Sequence, residues 1–112
     1  MLTINDYQRG ALKTANPELS NFELLENGIM GLNGEAGECI DIIKKFKFQG
    51  HPLNQEHIAK ELGDIAWYLA IAAEALGYDL EHIMQMNLDK LKKRYPDGFD
   101  SDRSLNRDKN DI

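Results

Sequence analysis

Between Gln55 and Leu76, apolar side chains recur at Ile58, Leu62, Ile65, Leu69, Ala72 and Leu76, a 4-3-4-3-4 spacing that only a helix gathers on one side. A strand would scatter the same residues over both faces, and no window of the chain alternates with a period of two. The seam therefore predicts helices packed side by side. The punctuation elsewhere agrees. Thr3 with Asp6 opens a first helix to about Ala15, where Asn16-Pro17 stops it. Ser20-Asn21-Phe22-Glu23 is a capping box for a second helix to about Phe48. Asn54 caps the third, which Gly77 ends; Asp79 caps a fourth that stops before Pro96. The predicted fold class is all-α, a four-helix bundle-like single domain over residues 1–96. Residues 97–112, with five Asp and three bulky apolar side chains, read as a partly disordered tail.

Composition narrows the function classes. The 112 residues carry a net charge of −6, which leaves no general basic field to recruit DNA or RNA. A single cysteine excludes a disulfide framework and a cysteine-ligated zinc site. No apolar run approaches the roughly 20 residues that span a bilayer, and MLTINDYQRG is not a secretory leader. The expectation is a cytoplasmic protein with no membrane or nucleic-acid partner. Trp67 and Ile71 lie off the main seam of their helix, and Met30 lies off the stripe of Leu25, Leu32, Cys39 and Ile43. A second apolar face asks for a second partner. A homodimer or homotetramer is predicted, with Trp67 at or near a subunit boundary.

Two acidic pairs carry the chemistry: Glu35-x-x-Glu38 and Glu61-x-x-Asp64. Residues three apart on a helix are surface neighbours, so each pair can converge on one cation. At ~100° per residue, Glu35 falls within about 20° of Leu24, Ile42 and Phe46, and Glu61 and Asp64 border the seam of the third helix. Carboxylates aimed at an apolar interior need cations or raised pKa values. Hard oxygen ligands select Mg²⁺, with Mn²⁺ as a substitute. His51, His57 and His82 stand outside both acidic motifs, which separates the pattern from the Glu-x-x-His sites of di-iron bundles. Magnesium usually bridges to substrate phosphates. Lys44, Lys45 and Lys47 near the end of the second helix, and Asn87, Lys90 and Arg94 on one stripe of the fourth, supply polar partners for them. Gly28, Gly31, Gly34 and Gly37 leave two readings open, close helix contact or room for a ligand.

The run Gly31-Leu32-Asn33-Gly34-Glu35-Ala36-Gly37-Glu38 resembles the first signature of the MazG-like all-α nucleoside triphosphate pyrophosphohydrolases. Glu61-Leu62-Gly63-Asp64-Ile65-Ala66-Trp67-Tyr68-Leu69 resembles the second, and Asn87-x-x-Lys90-x-x-x-Arg94-Tyr95-Pro96-x-Gly98-Phe99 the closing segment. The motifs occur in order, with 22 residues between the acidic pairs. The resemblance implies that Glu35, Glu38, Glu61 and Asp64 hold Mg²⁺, with Glu35 or Glu38 as an outer-shell base. It also implies that a nucleoside triphosphate is cleaved to monophosphate and pyrophosphate. Lys90 and Arg94 are then expected on phosphate oxygens, Asn87 on sugar or phosphate, and Tyr68 on base or ribose or in the core. The competing reading is a non-catalytic helical oligomerisation or regulatory module whose acids form ion pairs.

Overall fold

The computed structural model describes every residue, Met1–Ile112. It contains α1 (Ile4–Leu12), α2 (Asn21–Gln49), α3 (Gln55–Ala75), α4 (Leu80–Arg94) and α5 (Ser101–Leu105), and no strand. The all-α expectation holds, with a fifth short helix added. The chain divides into two compact units, Met1–Leu80 and Glu81–Ile112.

The first unit starts where the caps place it. The Thr3 hydroxyl accepts from the Asp6 amide and the Asp6 carboxylate accepts from the Thr3 amide; Ser20 and Glu23 repeat this reciprocal pair at the head of α2. Asn54 accepts from the His57 amide to open α3. Gly50 (φ 73°) and Gly77 (φ 77°) close α2 and follow α3 in the left-handed region, where only glycine is unstrained. α1 ends at Leu12, short of Ala15, and a tight turn follows in which Thr14 and Ala15 donate to the carbonyls of Ala11 and Leu12.

α2 and α3 run antiparallel, and glycines set their separation. A Cβ on Gly28 would lie 2.9 Å from Ala72 Cβ and 3.0 Å from the backbone of Ala72 and Tyr68. A Cβ on Gly31 would lie 2.1 Å from the Tyr68 ring. Gly34 and Gly37, by contrast, face nothing within 4 Å. The first two glycines thus serve helix contact, and the next two leave open space beside the acidic residues.

The second apolar face of α3, with Trp67 and Ile71, asks for another helix or subunit, and α1 with the turn after it packs on α3 in the same chain. Ile71 is fully buried, and the Trp67 indole donates to Thr14 Oγ1 at 2.9 Å. The residues left exposed are on the presumed seam, Leu62, Leu69 and Leu76. The buried stretch of α3 is Ala70–Ala73, whose three alanines let two helices approach. Gln8 fastens α1 from below 5% exposure: its amide donates to Glu74 and to the Tyr78 carbonyl, and its oxygen accepts the Leu80 amide at 2.6 Å. The first amide of α4 is therefore satisfied from α1.

The second unit begins in α4. Asp100 caps α5 by accepting from the amides of Asp102 and Arg103. Tyr95 and Phe99 stack at 5.4 Å between centroids. Arg94 and Asp111 form a bidentate pair at 2.7 and 2.8 Å. Residues 97–112, read from sequence as a tail, thus hold a helix and an anchored turn.

Candidate metal centre

The antiparallel register that puts Gly28 on Ala72 and Gly31 on Tyr68 brings Glu35 opposite Glu61 and Asp64. One ligand oxygen from each of the three lies within 4.8 Å of the others. Glu35 and Glu61 are half-buried and Asp64 is exposed. Glu38 sits one turn along α2, exposed and outside this trio, though its charge still reaches Glu35. Of the four predicted acids, the structure gathers three and leaves the fourth at the edge.

The two oxygens of Glu61 meet different fates. Oε1 contacts His57 Nε2 at 3.0 Å, one helical turn away. Oε2 is buried and has no hydrogen-bond partner. A buried carboxylate oxygen without a donor is costly, and its neighbour is another carboxylate. Two carboxylates offer each other no donor unless one holds a proton. The contact with Glu61 is accordingly the largest influence on Glu35, followed by desolvation and by the charges of Glu61, Asp64 and Glu38. Together they push its carboxyl up to about 7. No Lys or Arg is ion-paired with the trio. Lys44 and Lys45 instead pair with Asp41 at 3.1 and 2.8 Å, and Lys47 lies over the Phe48 ring. A group of hard oxygens, one of them orphaned, fits a divalent cation of the Mg²⁺ or Mn²⁺ type.

Tyr7, near the trio, escapes the sequence reading, which also places His57 outside the acidic motifs. Tyr7 of α1 donates to the Gly63 carbonyl at 3.4 Å, and burial together with the Asp64 charge raises its phenol. Nothing local marks Tyr7, since 56 positions separate it from Gly63. His57 did carry a signal: it stands four residues before Glu61, the spacing of helical surface neighbours. Tyr68, half-buried, packs its ring on Gly31 and edge-on to Trp67 at 5.0 Å.

In the second unit, Asn87 is exposed and Lys90 and Arg94 are half-buried along one stripe of α4. Arg94 is held by Asp111, which raises the guanidinium and lowers the carboxyl.

The sequence profile of the MazG nucleotide pyrophosphohydrolase domain matches residues 25–99. The Gene 37 protein of Mycobacterium phage L5 is 34% identical over 99 residues, covering 81% of this chain and 87% of the relative. No solved structure matches the chain.

Proposed function

Because the chain belongs to the MazG nucleotide pyrophosphohydrolase family, we propose that it is a Mg²⁺-dependent enzyme acting on a nucleoside triphosphate, ribo or deoxy. The products are the nucleoside monophosphate and pyrophosphate, and the role is house-cleaning of nucleotide pools. The observation that carries this reading is the meeting of Glu35, Glu61 and Asp64 around the partnerless Glu61 oxygen.

Glu35, Glu61 and Asp64 would hold the metal, with Glu38 at the margin. When bound, Mg²⁺, or Mn²⁺ in its place, supplies charge neutralisation for the triphosphate and acidity for the attacking water. The chain's own part is positioning and proton handling. His57 fixes Glu61 through Oε1, so that Oε2 stays directed at the trio. Glu38 lies on the same side of α2 but outside the cluster, and it takes the proton that water loses on adding to phosphorus. The bond from phosphorus to the bridging oxygen breaks, and pyrophosphate leaves. Lys90 and Arg94 bind phosphate oxygens, and Asn87 orients the sugar or phosphate. The open space at Gly34 and Gly37 supports a ligand beside α2.

Titrating Mg²⁺ into metal-free protein tests the site. The melting temperature should climb with ion concentration by mass action, and Glu61→Gln should flatten that climb. An unmoved melting temperature would favour a non-catalytic helical module whose acids make ion pairs only.

A further inference from the structure

The second unit contains a cleft of about 740 Å³. Lys90, Lys93 and Arg94 line it from α4, with Arg103 from α5 and Arg107 just beyond. Five cationic side chains around one cleft would repel one another without anions, and the chain supplies three, Asp89, Asp108 and Asp111. Asp111 places both carboxylate oxygens on the Arg94 fork, Oδ2 at 2.7 Å from Nε and Oδ1 at 2.8 Å from Nη2. The pair is largely withdrawn from water, with side-chain exposures of 10% and 16%. This is the geometry in which a guanidinium receives two phosphate oxygens.

The segment that delivers Asp111 is lightly built. Residues 106–112 form neither helix nor strand. They make a tight turn in which Asp108 Oδ1 accepts from the Asn110 amide and the Asp108 carbonyl from the Asp111 amide. Ser104 of α5 and Arg107 just beyond it both contact the Tyr95 hydroxyl, so the stretch without such an attachment begins at Asp108. The turn can therefore leave Arg94 without dismantling α5. A phosphoryl group brings up to about two negative charges where Asp111 brings one, and a polyphosphate also reaches the neighbouring lysines and arginines.

We propose that Asp111 is an internal stand-in for a phosphoryl anion, occupying the Arg94 fork until a polyphosphate displaces it from this cleft. The inference rests on the reading of Arg94 as a phosphate-binding residue and adds a competitor carried by the chain itself. Apparent affinity is then reduced by the fraction of time the fork is closed. A fork closed nine-tenths of the time weakens polyphosphate binding about tenfold.

The test is calorimetric titration of the full chain in chelator, so that a failure of metal-dependent turnover does not affect it. Inorganic pyrophosphate is one probe, and a deoxynucleoside triphosphate with a methylene α,β-bridge is the other. Asp111→Asn should bind about tenfold more tightly than the unaltered chain, and adding Arg94→Gln should abolish the gain. A gain with both probes means that the phosphoryl groups alone displace Asp111. A gain with the triphosphate only identifies the substrate chain as the displacing anion, and a gain with pyrophosphate only identifies the product. Equal or weaker binding of both by a cooperatively folded Asp111→Asn variant overturns the proposal. Should that variant not fold, amide exchange of residues 108–112 in the unaltered chain decides. Saturating pyrophosphate should speed exchange there, and unchanged or slower exchange refutes displacement.

Discussion

At the scale of single residues, Glu61 is where structure and chemistry meet. One oxygen is held by His57 and the other is buried among carboxylates without a donor. Glu61→Gln keeps the shape but removes the charge that would hold the ion. Because losing even an outer-shell partner of a metal site costs about 10–100-fold, kcat/KM should fall by more than about 100-fold while circular dichroism stays unchanged. Normal activity in a folded Glu61→Gln protein would remove the residue from the site. Glu35 gives a second readout. Its carboxyl titrates at about 7 in the metal-free chain against an ordinary 4.5, so between those values the folded chain binds more protons than the unfolded one. Its contribution to stability is fully present below about 4.5 and is lost as pH rises through about 7. In chelator, the melting temperature should fall over that window, and Glu35→Gln should remove this component. Saturating Mg²⁺, which favours the ionised form, should remove it too. A pH-independent melting temperature would contradict the shared-proton contact.

At the scale of elements, the α2–α3 register is what builds the site, and two glycines set it. Gly28→Ala would drive a methyl into the Ala72 backbone, which cannot turn aside, whereas Gly34→Ala meets nothing. The first should cost about 1–3 kcal/mol, as overpacking does. The second should stabilise by up to about 1 kcal/mol through helix propensity. Urea unfolding separates them, and equal effects would deny that Gly28 sets the helix separation. The helix starts were legible in the sequence because Thr3–Asp6, Ser20–Glu23 and Asn54 are local hydrogen-bonding patterns. The acidic pairs were legible for the same reason, as neighbours on one helix. Periodicity showed that α3 carries apolar residues on more than one side, but it could not say which side α1 would cover. Gln8 and Thr14, which bring α1 to Tyr78–Leu80 and Trp67, are distant partners with no periodic signature. The same limit hid Tyr7.

At the scale of the whole molecule, charge and apolar surface divide unevenly. Residues Met1–Leu80 carry the entire acidic excess, while Glu81–Ile112 balance acids with bases. No helix is long and apolar enough to cross a membrane. Leu62 on α3, Leu76 at its C-cap, and Ile29, Met30 and Ile40 on α2 are each more than half exposed, more than scattered surface apolar residues require. A second copy of the chain is the proposed cover, so light scattering should give at least twice 12.7 kDa. Leu69→Glu with Leu76→Glu should shift the mass toward the monomer, whereas a monomeric unaltered chain would contradict the proposal. The central claim is the reaction itself. Phosphorus NMR of the chain incubated with Mg²⁺ and a panel of canonical and damaged nucleoside triphosphates should show monophosphate and pyrophosphate in equal amounts for at least one of them. Diphosphate with orthophosphate, or no product from any triphosphate, would contradict it.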